Sequence, residues 1–344
     1  MLTQLDALPD GFLDTPARAL HRILPGPTLI HLEGRRQPAV FISILLHGNE
    51  DVGLGAMQRV LKAHAGRMLP RAVSLFIGNV QAARQGLRRL DEQPDFNRVW
   101  PGTRLHADTP EHAMTREVRE IMAARGVFAS IDLHNNTGLN PHYSVVNRLD
   151  PATLHLALLL NRTVVWFRGP PGSQTAAFAD LCPSVAAECG KPGQPANEEA
   201  AARFVEACLH LAEFPSHPVR ESDIDLYHTM ALVKVAPDVD FGFDEPAAQL
   251  DLMAQLDHLN FVELQPGVVF GRSTVAMPLD VRDEAQGDVS QAFFAVREGQ
   301  LMLTRAAMPA MLTLDKRVVR QDCLCYLMER VPFALVQAAV PARA

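Results

Sequence analysis

Val40-Phe41-Ile42-Ser43-Ile44-Leu45-Leu46-His47-Gly48-Asn49-Glu50 decides how this chain is read. Its first seven residues are apolar except for Ser43, the pattern of a strand buried on both faces, and the run stops abruptly at a histidine, a glycine and a carboxylate. A second apolar run, 73–77, stops at Gly78-Asn79, and a third, 128–133, leads into His134-Asn135-Asn136-Thr137-Gly138. The intervening stretches are helical. Residues 51–65 place Val52, Gly55, Ala56, Arg59 and Val60 at helical spacing, while Thr109-Pro110-Glu111 supplies a cap, a proline at the first helical position and an early acid. That helix is expected to run to Arg125 and end at Gly126. A helix over 151–160, strands over 163–167 and 184–188, and a helix over 197–214 capped by Asn197 complete the alternation. Short strands alternating with longer helices build an α/β domain with a mixed or largely parallel sheet.

After Phe214 the texture changes. Pro215-Ser216-His217-Pro218 breaks the helix, and short strand-like pieces at 231–235, 261–264 and 267–270 follow among turn residues. The expected division is therefore a catalytic domain over 1–216 and a smaller β-rich domain over 217–344.

The chain has 344 residues, 48% hydrophobic and 21% charged, with a formal charge of −7. This is globular composition, and its acidic balance provides no net field for phosphate backbones or anionic lipid, so neither nucleic acid nor membrane is an expected partner. No apolar run approaches the roughly 18 residues that a spanning helix needs. The acidic first residues do not read as a secretion signal. The five cysteines contain no CxxC pair, which suits a reducing cytoplasm better than a disulfide framework. Self-association into a homo-oligomer is compatible with this composition.

The ends of buried strands in open α/β sheets are where ligands bind. His47 and Glu50 stand at one such end and His134 at another, and histidine and glutamate are suitable ligands for a catalytic zinc that keeps a position for water. In a strand Asp132 and His134 point the same way, so the carboxylate can orient the imidazole. The plainer alternative for Asp132, Asn135 and Asn136 is a side-chain-stabilised turn. With thirteen histidines, roughly one HxxE pair is expected by chance, and a second, His210-x-x-Glu213, is read as a helix face. The polar stretch 86–102 carries Arg88 and Arg89, either of which can stabilise an oxyanion, and Asn97-Arg98, which can grip a carboxylate. Glu188 closes an apolar strand, where burial suits it to proton transfer.

Ile44 to Glu50 (ILLHGNE), Pro94 to Gly102 (PDFNRVWPG), Asp132 to Gly138 (DLHNNTG) and Ala187 to Gln194 (AECGKPGQ) together resemble the succinylglutamate desuccinylase/aspartoacylase family, a branch of the zinc carboxypeptidase-like hydrolases. The resemblance implies a zinc-carboxypeptidase-like mixed sheet flanked by helices, followed by the β-rich domain. It implies one zinc per chain held by His47, Glu50 and His134, with Glu188 as general acid/base and Arg88 polarising the scissile carbonyl. Asn97 and Arg98 would hold a substrate carboxylate. The loop from Arg88 to Asn97 is about two residues longer than in the best-known members, which leaves Arg88 and Arg89 both in play. Those members also carry an arginine ten positions before the catalytic glutamate, where this chain has Phe178, so Phe178 is expected against a less acidic or more apolar acyl group. The implied activity is deacylation of an N-acyl amino acid. A metallocarboxypeptidase acting on small peptides, or a non-catalytic binding protein on the same scaffold, are the alternatives.

Overall fold

The chain opens with β1 (Thr3–Leu5) and β2 (Thr28–Leu32), and then the expected alternation sets in. It runs β3 (Ala39–Ile44), α1 (Val52–Ala63), β4 (Val73–Ile77), α2 (Val80–Gln85), α3 (Pro110–Arg125), β5 (Val127–His134), β6 (Tyr143–Val146), α4 (Pro151–Leu158), β7 (Thr163–Trp166), α5 (Gln174–Phe178), β8 (Ser184–Glu188) and α6 (Pro195–His210). This computed structural model describes residues 1–169 and 171–334. They separate into two units, one of Met1–Asn135, His142–Leu226 and 332–334, the other of Asn136–Pro141 and Tyr227–Val331. No helix among the described residues is long and apolar enough to cross a membrane.

In the first unit the strands lie side by side in the order β1-β2-β4-β3-β5-β8-β6-β7. The pairings β4·β3, β3·β5 and β5·β8 are parallel, while β2·β4 and β6·β8 are antiparallel, so the sheet is mixed. Because β3, β5 and β8 run the same way, their C-terminal ends share one edge, where His47, His134 and Glu188 follow or close their strands. Register then sets the faces. Phe41 pairs with Ser130 and Ser43 with Asp132, while across β5·β8 Asp132 pairs with Ala186 and His134 with Glu188. Side chains alternate along a strand, so these residues line one face, apolar below and polar at the edge. On the opposite face α1 packs closely: a Cβ on its Gly53 would stand 2.9 Å from Ile44 and 3.0 Å from Leu133.

Three local expectations are corrected. The last helix of this unit starts at Pro195 rather than Asn197, because proline is preset for the first helical turn. Asn197 instead receives His142 Nε2 on its Oδ1 at 2.8 Å and donates to the Lys191 carbonyl at 2.9 Å. The helix ends at His210, and the carbonyls of Leu211 and Ala212 are taken by Arg71 at 2.9 and 3.1 Å. Finally, 261–264 is no strand. Phe261 has φ 58°, which breaks an extended run, and only Leu264 forms a bridge, to Ala307.

The second unit is β-rich. β9 (Asp225–Val235) pairs antiparallel with β13 (Leu279–Asp283) and β17 (Cys325–Arg330), and β17 pairs with β16 (Met308–Ala310). A five-stranded sheet has the order β10-β11-β12-β15-β14, from β10 (Phe241–Phe243), β11 (Leu250–Leu252), β12 (Val269–Ser273), β14 (Phe294–Arg297) and β15 (Gln300–Leu303). Phe270, Phe294, Leu250 and Leu301 are among the side chains of its core. The segment 136–141 belongs here. Gly138 can only be glycine, since a Cβ would lie 1.7 Å from the Leu312 carbonyl oxygen, and Thr137 and Thr313 hydroxyls meet at 2.6 Å.

Candidate active site

The turn after β3 is made by one uncommon residue. Leu45 has φ 53°, a left-handed conformation that costs an ordinary side chain roughly 1–2 kcal/mol, and it swings the chain so that His47 and Glu50 face back over the sheet edge. The turn is buttressed. Gly48 donates its N–H to the Arg88 carbonyl at 3.1 Å, and a Cβ on Gly48 would fall 2.2 Å from Ala83 N in α2, so the close approach requires glycine. Asp51 makes no side-chain cap on α1; the Val52 N–H is met instead by Asn135 Oδ1 at 3.0 Å. Asn135 also donates to the Gly190 carbonyl at 2.8 Å, so one amide ties the turns after β3, β5 and β8 together.

Glu50 is the centre of the arrangement. Its Oε1 meets His47 Nδ1 at 2.8 Å and its Oε2 meets His134 Nδ1 at 2.7 Å. The far nitrogen of each ring is held by a carboxylate: His47 Nε2 by Asp95 Oδ1 at 3.1 Å, and His134 Nε2 by Asp132 Oδ2 at 2.6 Å. Asp132 is in turn fixed by the Ser43 hydroxyl at 2.7 Å. A chain of carboxylate, imidazole, carboxylate, imidazole and carboxylate thus runs through the buried edge, with His47 and Glu50 4% and His134 3% exposed.

The electrostatics follow from this alternation. Burial and the Arg88 guanidinium push the His47 imidazole down, but Glu50 and Asp95 outweigh them and its pKa is raised. His134 is raised well above the ordinary histidine value, with Asp132 and Glu50 overcoming burial. Burial would lift Glu50 and Asp95; the two imidazoles hold Glu50 below the usual carboxylate range, and Arg88 and His47 do so for Asp95.

The three ligand atoms of His47, Glu50 and His134 lie within 4.8 Å of one another. Two nitrogens and a carboxylate oxygen form a donor set of catalytic zinc, and carboxylates on the outer ring nitrogens are the usual support for metal-binding imidazoles. Three carboxylates converge on two imidazoles beside Arg88, an excess of negative charge that a divalent cation offsets when the rings are neutral. The residues present therefore fit such an ion.

The polar loop is pinned from below. Phe96 and Trp100 are buried in an aromatic cluster, and the Trp100 indole N–H donates to the Phe96 carbonyl at 2.9 Å. Between and beside these anchors Asp95 and Asn97 point to the sheet edge. Arg88 donates Nε and Nη2 to Asp95 Oδ2 at 3.1 and 3.0 Å and lies 3.6 Å from Glu50, whereas Arg89 donates to the carbonyls of Leu90, Asp91 and Gln93. Arg88 is the arginine that faces the site. Asn97 Nδ2 is 3.2 Å from His134 Nε2, its Oδ1 accepts from the Gln174 N–H at 2.8 Å, and Arg98 donates to the Asn97 carbonyl at 2.9 Å. Glu188 is 5% exposed and in register with His134.

Phe178 stands elsewhere. It is wholly buried, stacked on Phe41 with ring centroids 4.5 Å apart and set edge-on to Trp100 at 5.9 Å, so it has no surface for an acyl group. Its expected contact with substrate is corrected to a place in the floor under the loop. Asp95 is the residue that motif reading passed over, although its position between a proline and a buried phenylalanine in a polar loop marks it. The second HxxE pair does not form: Glu213 is exposed, and His210 meets Glu206 at 3.1 Å instead, beside His64.

Residues 36–214 match the family described as Succinylglutamate desuccinylase/Aspartoacylase catalytic domain. No curated protein matches significantly. Among solved structures, the chain is similar to a succinylglutamate desuccinylase from Chromobacterium violaceum, with a TM-score of 0.56 and 16% identity over 87% of this chain and 86% of that one. It is also similar to murine aminoacylase 3, with a TM-score of 0.53 and 16% identity over 86% and 97% of the two chains. A succinylglutamate desuccinylase/aspartoacylase from Rhodobacter sphaeroides gives 0.56 and 15% identity over 88% of each. At these identities the likeness is one of fold.

Proposed function

The chain belongs to the succinylglutamate desuccinylase/aspartoacylase family, and we propose that it is a zinc-dependent amidohydrolase that deacylates an N-acyl amino acid. The observation that carries this reading is the buried convergence of His47, Glu50 and His134 at the sheet edge, with Glu188 in register beside His134. His47, Glu50 and His134 would hold the ion. Bound there, zinc supplies Lewis-acid polarisation of the amide carbonyl and lowers the pKa of water towards about 7.

The chain's own groups do the rest. Glu188 takes the proton of the attacking water and passes it to the departing amine, so that one carboxylate serves as base and then acid. Arg88, already held by Asp95 beside Glu50, stabilises the negative charge that develops on the carbonyl oxygen. Asn97 and Arg98 grip the amino-acid carboxylate, the guanidinium providing a planar fork. Asp95 and Asp132 hold the Nε2 side of both imidazoles and so keep each Nδ1 turned toward Glu50. We assign this chemistry to the first unit, whose main segments, Met1–Asn135 and His142–Leu226, replace the expected division after residue 216.

Glu188→Gln keeps the shape of the side chain and removes its base. The expected result is zinc content equal to wild type with kcat reduced about 10²–10⁴-fold on N-acyl amino acids. Full turnover in that variant would remove Glu188 from the mechanism.

A further inference from the structure

We propose that His64, Glu206 and His210 form a second divalent-cation site, for a borderline ion such as zinc, separate from the buried one. Glu206 and His210 are four residues apart on α6, so they share a face. His64 lies at the C-terminal cap of α1. Its Nε2 stands 2.8 and 3.1 Å from the two Glu206 oxygens, and His210 Nε2 stands 3.1 Å from Oε1. One ligand atom from each residue falls within 4.8 Å of the others.

The donor set is that of the buried group, two imidazoles and one carboxylate, and the spacings are alike: 2.7 and 2.8 Å there, 2.8 and 3.1 Å here. Ligands about 2.0–2.1 Å from a tetrahedral zinc stand roughly 3.3 Å apart, so the His–Glu pairs of either group need to open by only about 0.2–0.6 Å. Two helix C-termini meet at this point, His64 capping one and His210 ending the other, and the negative ends of their dipoles favour positive charge. Arg36 already donates to the His210 carbonyl at 3.1 Å, in keeping with that field. Side-chain exposures of 13% for His64, 35% for Glu206 and 60% for His210 leave an open path for the ion and room for water in its remaining positions. Such an ion would staple the far ends of the helices that follow Glu50 and Glu188, and would act on stability rather than on the chemical step.

Equilibrium dialysis of chelator-stripped full-length protein against Zn2+ tests this. Wild type should take up two equivalents, the weaker of which raises Tm by a few degrees through linkage. His64→Ala with His210→Asn should lose that second equivalent and its Tm shift, with hydrolysis unchanged. Glu206→Gln, nearly isosteric, should weaken it at least tenfold and covers the case in which losing an imidazole disturbs the helix contact. His47→Ala should keep the helix-held ion. Equal zinc uptake by wild type, the double variant and Glu206→Gln would overturn the proposal, as would loss of both ions in His47→Ala.

Discussion

Two His–Glu–His groups occupy the first unit, with the same donor atoms at nearly the same spacing, yet they differ in what stands behind them. In the buried group every outer ring nitrogen meets a carboxylate, Asp95 or Asp132, and a strained turn, a buried strand end and a pinned loop fix the parts. In the half-exposed group His64, Glu206 and His210 rest on two helix ends and solvent. The contrast bears on the roles proposed for the two groups, because the same donor set is supported differently in each. The buried group is the preorganised one, and charged groups held in a water-poor site need no rearrangement when charge develops.

The largest expected difference tests that contrast directly. His134→Ala should remove the buried ion and lower kcat/KM by at least about 10³-fold, since polarisation by a metal is worth several kcal/mol. His210→Ala should leave kcat/KM within about twofold. Parallel kinetics and zinc analysis read both, and a comparable loss in the two variants would break the comparison.

Phe178 comes next, because it forms the floor under the loop that carries Asp95 and Asn97. Phe178 stacks on Phe41 and touches Trp100, whose indole N–H holds the loop backbone that carries Asp95 and Asn97. Phe178→Ala should cost about 3–5 kcal/mol of stability, read as a shifted denaturant midpoint. A KM change with stability intact would instead return Phe178 to the substrate.

How much of this was legible in the sequence depends on what kind of information fixed it. The buried strands announced themselves as unbroken apolar runs, and β4, α3 and β8 begin and end where punctuation by Gly78, Pro110, Gly126 and Glu188 set them. His47, Glu50 and His134 were readable because strand ends in an α/β sheet converge. Phe178 was not, since counting ten positions back from Glu188 says nothing about which face a five-residue helix presents. Asn197 has the chemistry of a cap, but Pro195 already starts the helix. His210-x-x-Glu213 reads as a helix face, but α6 ends at His210, so Glu206 one turn earlier, and not Glu213, stands beside the imidazole. Arg88 and Arg89 are chemically equivalent in sequence, and only the loop's own carbonyls, occupied by Arg89, separate them.

Asp95 sharpens the comparison further, because among the described residues the half-exposed group has no counterpart to it. Asp95→Asn keeps a hydrogen-bond acceptor for His47 but loses the charge that Arg88 and the imidazole face, and metal affinity or activity should fall about 10–100-fold. Its pH signature is specific. A carboxyl held below its unfolded value stabilises the fold above that unfolded value, about 3.9, and the contribution disappears as pH falls through the folded one. Metal-free Asp95→Asn should therefore be less stable than metal-free wild type at neutral pH, with the gap closing as both are acidified below about pH 4. A gap that is constant with pH would mean that packing, not charge, is what Asp95 contributes.

The smallest effect belongs to the exposed group without metal. His64 and Glu206 meet across α1 and α6 at 2.8 Å, but water and salt screen a contact of this exposure, which is worth about 0–1 kcal/mol. Glu206→Gln should accordingly change the stability of zinc-free protein by less than about 1 kcal/mol, while diminishing the part of the zinc-induced rise in Tm that belongs to the weaker equivalent. The two measurements separate an ion pair from a metal site: removal of a structural pair is felt with or without zinc, whereas removal of a ligand is felt only when the cation is present. If zinc-free Glu206→Gln already melts several degrees early, the cluster is an ion pair that stabilises a helix contact, and the likeness between the two groups ends at their composition.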